Sequence, residues 1–299
     1  MFSPLGSPPA GGLRFPSGFT AKKDGMNSPF LVIIFCILKP MSIVDAVILG
    51  LVQGLTEFIP VSSSGHLVLI DRLTDVESSF AFDVLLNIGT LLALVIYFWP
   101  KLADIWRRLV KGDWRLVRNL AISTLPVVLI GGLFTDWFDS ESVRSSGSVG
   151  MMLVSIGALM VLIDRFKLSS RPLSSLGIKS AVFIGLAQAL ALLPGTSRAG
   201  ATMLAGRASR LSFKDAAEYS FLLAIPVIAG AIVRSLFKQE TLSLWHSDAG
   251  AVIIGTVVAF FSGILAIGFT LRYLERNGLK SFGYYRLGLG LVVLLTAIL

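Results

Sequence analysis

Cysteine and histidine are nearly missing from this chain. A single cysteine, Cys36, excludes an internal disulfide and a thiolate metal cluster, and two histidines, His66 and His246, exclude a multi-histidine zinc site. Charge is scarce too: charged residues make up 15% of the 299, against 54% hydrophobic residues. A mean hydropathy of +0.80 excludes an ordinary soluble domain. Several apolar runs approach the roughly 20 residues that cross a bilayer, so the expectation is an all-α polytopic membrane protein in contact with membrane lipids. A net charge of +8 would suit nucleic acid, but the basic residues sit in short loops between apolar spans. They read as topology signals, and no nucleic-acid partner is expected.

Residues 1–40 are expected to be a disordered or non-native extension. Their first part is rich in Pro, Gly and Ser, and the apolar run 30–38 is too short to span. One membrane domain, 41–299, should follow. From Ser42, a plausible N-cap, an apolar helix runs to about Ile59 and Pro60 ends it. A polar turn and a short helix after it suggest a re-entrant hairpin; the alternative is one kinked span. Six transmembrane helices are expected near 82–99, 119–134, 149–163, 219–236, 250–271 and 284–299. The loop 101–118 holds six basic and two acidic residues, and 164–179 four basic and one acidic. The loop between those spans carries Asp136, Asp139 and Glu141 against Arg144. Basic short loops stay in the cytoplasm, which fixes the orientation.

An internal repeat is visible when residue 49 is laid on residue 184. Gly50 then meets Gly185, Gln53 meets Gln188, Ser62 meets Ser197 and Gly65 meets Gly200. Each copy precedes three spans, an odd number, so the second enters from the opposite face. Repeat one is 41–170 and repeat two 171–299, in an inverted topology that places two broken helices face to face near the midplane.

The stretch 53–66, QGLTEFIPVSSSGH, puts a carboxylate, an amide, three hydroxyls and an imidazole into sequence otherwise fit for lipid. Ionisable groups at that depth cost several kcal/mol unless paired or lining a wet cavity, roughly 2.5–3.5 kcal/mol on insertion scales. The second stretch, 188–202, supplies Arg198. Gln53 and Glu57, spaced i, i+4, share a helix face and are candidates to hold a divalent cation. Arg198, with Ser62, Ser64, Ser197 and Thr202 and the backbone around Gly195, suits an anionic phosphate head. His66 is a candidate nucleophile or general base, and Ser63 a candidate nucleophile. Together these groups suggest phosphoryl transfer on a membrane substrate. Blander readings stand beside them: a structural histidine, serines bonded to their own backbone, and Glu57 and Arg198 as mutual counter-ions.

The motifs QGLTEFIPVSSSGH and PGTSRAGAT resemble the two signatures of the bacitracin-resistance type undecaprenyl pyrophosphate phosphatases, and the likeness runs from Met41 to the C-terminus. The stretch AAEYSFLLAIP, residues 216–226, is similar to the family's segment after the second motif. Two positions depart from the pattern: Gln53 stands where glutamate is common and Ala199 where serine is usual. The resemblance implies a hydrolase dependent on a divalent cation, Mg2+ with Ca2+ as the alternative, in the bacterial inner membrane with its site opening to the periplasm. It implies undecaprenyl pyrophosphate as substrate, the monophosphate carrier for cell-wall synthesis as product, and catalytic roles for Glu57, Ser63, His66 and Arg198, with the attacking atom open among His66, Ser63 and a metal-bound water. A homodimer is compatible with it. The alternative function is a polyprenyl-phosphate flippase that uses the same groups for binding only.

Overall fold

Six helices among the described residues of this chain start where a serine, at 42, 62, 79, 145, 197 or 212, caps the first turn with its side chain. The computed structural model describes residues 41–74, 79–138, 140–166 and 168–298, so the expectation for residues 1–40 lies outside the described residues. The unit from Met41 onward is compact. Helix α1, Ile43–Phe58, begins at Ser42, whose Oγ accepts the Val44 N–H at 3.2 Å. It ends because Ile59 is extended before Pro60, which disfavours the helical region in the residue it follows. Helix α2, Ser63–Leu73, resumes after the break. Helix α3, Phe80–Tyr97, runs into α4, Trp99–Val110, with a bend of 67°. Pro100 in the first turn of α4 needs no intrahelical partner there. Then come α5 (Arg115–Leu133), the single turns α6 (Thr135–Phe138) and α7 (Glu141–Arg144), and α8 (Ser146–Ile163).

The second half opens with α9, Ile178–Leu190, and after another break α10, Arg198–Ala208. It continues through α11 (Phe213–Leu236), α12 (Gln239–Ser247), α13 (Ala249–Asn277) and α14 (Lys280–Ile298). By length and composition, four helices can cross a membrane: α5, α8, α11 and α13; α3 and α4, bent by 67°, add a fifth only if the pair is taken as one span. The protein is an all-α, multi-pass membrane protein. Helices α4 and α12 occupy stretches expected to be plain loops.

Helix pairs cross the two halves: α1 packs on α13, α9 on α5, α8 on α14, and α11 on α3. Close approach is bought by missing side chains, since a Cβ at Gly50 would overlap the carbonyl oxygen of Gly255. The molecule is apolar outside and selectively polar inside. Leu125, Leu129 and Leu133 of α5 and Phe261 and Leu265 of α13 are exposed, whereas Gln53, Asn119, Gln188, Thr202, Ser220 and Arg286 are buried. That distribution suits a lipid solvent, where buried polar groups must satisfy one another. The main apolar cluster, including Phe58, Met160, Met203 and Phe221, contains the edge-to-face pair of Phe58 and Phe221, with centroids 5.6 Å apart.

A candidate active site between two helix breaks

Both breaks are built the same way. Ser62 and Ser197 sit at positive φ, 78° and 66°, a conformation that L side chains rarely adopt. Each caps the helix after it: Ser62 Oγ accepts the Gly65 N–H at 3.4 Å, and Ser197 Oγ accepts the Gly200 N–H at 3.1 Å. Backbone strain of this kind collects at functional sites. The breaks are also tied together, because the Gly195 N–H donates to Ser64 Oγ at 2.9 Å, and Ser64 Oγ lies 3.1 Å from Ser62 Oγ.

Between them is a cleft of about 140 Å³ lined by Thr56, Glu57, Ser62, Ser63, Ser64, Ala191, Ser197 and Arg198. At about 30 Å³ per water in the liquid, this is room for a handful of waters or one compact anion. Arg198 Nη2 donates to Glu57 Oε1 at 2.6 Å, with the two side chains only 12% and 14% exposed. Arg198 Nη1 reaches the Ser220 carbonyl at 3.4 Å. Glu57 Oε2 accepts from Gln53 Nε2 at 3.1 Å and from Ser63 Oγ at 3.3 Å. The cleft therefore holds one guanidinium, one carboxylate, four serine hydroxyls and the N-terminal turns of α2 and α10. Helix N-termini carry partial positive charge, so the arrangement favours an anion with several oxygens.

Other expected residues lie behind the cleft. Gln53 is buried with its amide nitrogen shared between Glu57 and Asn87 Oδ1, the latter at 2.9 Å. Asn87 is oriented by its own Nδ2, which donates to the Asp83 carbonyl at 3.1 Å. The Gln53 amide thus turns a donor, not an oxygen, toward Glu57. Thr202 does not reach the cleft: it is 1% exposed and its Oγ1 bonds the Arg198 carbonyl at 2.8 Å and lies 2.6 Å from Ser220 Oγ. Gly195 contributes through its backbone. His66 lies off the lining; its Nδ1 is 2.7 Å from the Ser62 carbonyl and its Nε2 is 2.8 Å from the Tyr285 hydroxyl. A carbonyl can only accept, so Nδ1 carries the proton and Nε2 accepts from Tyr285. The two rings stack with centroids 5.7 Å apart.

Sequence reasoning gave no role in the site to Asn87, Tyr285 and above all Arg286. Arg286 is fully buried on α14, and its Nη2 donates to the Gly195 and Thr196 carbonyls at 2.7 and 3.0 Å. Its Nη1 reaches the Pro60 carbonyl at 3.5 Å, so one guanidinium holds the backbone of both breaks. The signal for it was a lone charge in an apolar span.

A family model described as Bacitracin resistance protein BacA matches residues 46–292. A protein of Alcanivorax borkumensis named undecaprenyl-diphosphatase is 40% identical over 262 residues, covering 84% of this chain and 97% of the relative. Relatives with the same name occur in Idiomarina loihiensis, 36% identical with 85% and 99% coverage, and in Methanobrevibacter smithii, 37% identical with 86% and 99% coverage.

Proposed function

This chain belongs to the bacitracin resistance protein BacA family, and from that membership and the cleft we infer that it is an undecaprenyl-diphosphatase. It hydrolyses undecaprenyl pyrophosphate to undecaprenyl phosphate and inorganic phosphate, which recycles the lipid carrier for cell-wall synthesis and underlies bacitracin resistance. The observation that carries the reading is the Glu57 to Arg198 pair bridging the two breaks, beside the hydroxyls of Ser62, Ser63, Ser64 and Ser197. A diphosphate offers Arg198 a better partner than one carboxylate, because a guanidinium can bind phosphate oxygens in bidentate fashion. Transfer of Arg198 to the substrate leaves Glu57 facing Ser63 as a base.

The roles follow from those contacts. Ser63 Oγ attacks the terminal phosphorus, Glu57 takes its proton, and the bond to the bridging oxygen breaks with undecaprenyl phosphate as the leaving group. Water then attacks the phosphoserine and releases inorganic phosphate. Arg198, the Ser62 and Ser64 hydroxyls and the N-termini of α2 and α10 hold the charge that develops on the phosphoryl oxygens. His66 positions the first break by gripping the Ser62 carbonyl, with Tyr285 fixing its ring.

A divalent cation, Mg2+ with Ca2+ as the alternative, belongs to this proposal. Among the described residues no group of three His, Cys, Asp or Glu could hold a metal, and Gln53 turns nitrogen toward Glu57. That donor set fits an ion held by Glu57 together with the diphosphate, since Mg2+ commonly binds through one or two carboxylates plus substrate phosphates. When bound, the ion would neutralise phosphate charge.

The membrane arrangement proposed is six spans and two re-entrant hairpins in an inverted repeat, in the bacterial inner membrane with the cleft opening to the periplasm. Supporting it, α2 and α10 begin at 63 and 198 and end at 73 and 208, and α1 and α9 begin at 43 and 178, each 135 positions apart. The basic loops fall on one side under this arrangement. Phosphate release from C55 pyrophosphate by purified protein, with and without a chelator, tests substrate, reaction and cation together. Abundant release that chelation stops is expected. No release from pure protein would favour a flippase, and release indifferent to chelation would remove the cation.

A further inference from the structure

Helix α4 lies outside the catalytic reading, since the cleft draws no residue from it. Its inner edge, Leu102 and Ile105, packs on the main apolar cluster. At about 100° per residue, Trp99, Trp106 and Val110 form the neighbouring stripe. All three are open, at 65%, 66% and 72% exposed, and no residue of α4 is buried. The 67° bend from α3 turns this helix off the span that precedes it, as an in-plane helix at a bilayer surface would be.

The basic residues along this edge divide into two groups. Arg108 is paired with Asp104 at 2.8 Å, Lys101 with Glu218 at 2.5 Å, and Arg115 lies 3.9 Å from Asp113. Arg107, Lys111 and Arg118 are exposed and make no ion pair among the described residues. An apolar stripe with tryptophans suits any bilayer interface. Three uncompensated cations on α4, its C-cap and the first turn of α5 add attraction for an anionic surface, which fades within a Debye length of about 10 Å at 0.1 M salt.

We propose that α4 and the turn into α5 form a binding surface for anionic glycerophospholipids, with Trp99 and Trp106 at the acyl boundary and Arg107, Lys111 and Arg118 on the lipid phosphates. The occupant is bulk anionic lipid of the adjoining leaflet, because the stripe follows the exposed Leu92, Ile96 and Tyr97 of α3 along the chain and unpaired cations flank it in sequence. The surface holds the bend of α3 against the bilayer independently of the reaction.

The test uses the full chain with Trp137→Phe and Trp245→Phe, which leaves Trp99, Trp106 and Trp114 of the five tryptophans as reporters. It is reconstituted in phosphatidylcholine vesicles containing about 20 mol % of lipid brominated on its acyl chains, either phosphatidylglycerol or phosphatidylcholine. Brominated phosphatidylglycerol should quench about twofold more strongly or better, and salt near ~1 M should abolish the difference. Arg107→Gln, Lys111→Gln and Arg118→Gln together should bring the two lipids to parity while phosphate release stays unchanged. Equal quenching by the two lipids in the parent chain overturns the proposal, as does a preference that persists at high salt. Should the triple variant fail to insert, the lipid comparison and the salt series on the parent decide alone.

Discussion

At the scale of single residues, Glu57 serves three donors with two oxygens: Arg198 on one, Gln53 and Ser63 on the other. Removing one member of a nearly buried pair leaves an uncompensated charge, at a cost of about 3–5 kcal/mol, so Arg198→Ala mixes chemistry with stability. Glu57→Gln also strands a charge, that of Arg198, but an amide keeps the side chain's shape and loses the base. It should lower kcat by about 10²–10⁴ per folded molecule, as read by phosphate release normalised to the folded fraction from size-exclusion chromatography. Ser63→Ala should lose both turnover and any trapped phosphoenzyme, whereas His66→Gln should lower turnover and still yield label at Ser63. Label on His66 would reverse those roles. Glu57, Ser63 and Arg198 were legible in the sequence because ionisable and hydroxyl groups stand out against apolar neighbours. Asn87 and Arg286 were not, since their meaning lies in partners 34 and 226 positions away along the chain.

Among the elements, hydropathy located the spans but not their ends. The expected span from 219 begins at Phe213 in α11, where Ser212 Oγ accepts the Asp215 N–H at 3.0 Å, because caps are polar and fall outside an apolar window. Helix α4 was read as loop for a related reason: four of its twelve residues are charged, and only the two-faced pattern marks a helix. The breaks offer a sharper test. Gly195 has φ 89°, and a Cβ there would overlap the backbone of Val149. Gly112 has φ 87° with nothing within 4 Å. Gly112→Ala should therefore cost only the left-handed backbone penalty, about 1–2 kcal/mol. Gly195→Ala adds the collision and displaces the N–H that reaches Ser64. Thermal unfolding in detergent should show a clearly larger loss for Gly195→Ala, and equal shifts for the two variants would mean that the second break is soft.

For the whole molecule, the relation between halves decides whether Glu57 and Arg198 can meet at all. The sequence offset of 135 hinted at it through a few identities, and the serines at its centre, Ser62 and Ser197, share both a positive φ and a capping role. Two copies inserted in the same sense would carry their breaks to one face and leave the loop charges without a consistent side. Inverted copies bring the breaks together from opposite faces and put the loops containing Lys111 and Asn277 on one side, those containing Ser142 and Ser243 on the other. All four positions are exposed, so each accepts a reporter. In a Cys36→Ser background, single cysteines at Ser142 and Ser243 should react with a membrane-impermeant maleimide in intact cells whose outer barrier has been opened. Cysteines at Lys111 and Asn277 should react only after the inner membrane is permeabilised. Labelling of Ser142 and Asn277 together, from one side, would break the inversion and with it the geometry that joins a carboxylate from one half to a guanidinium from the other.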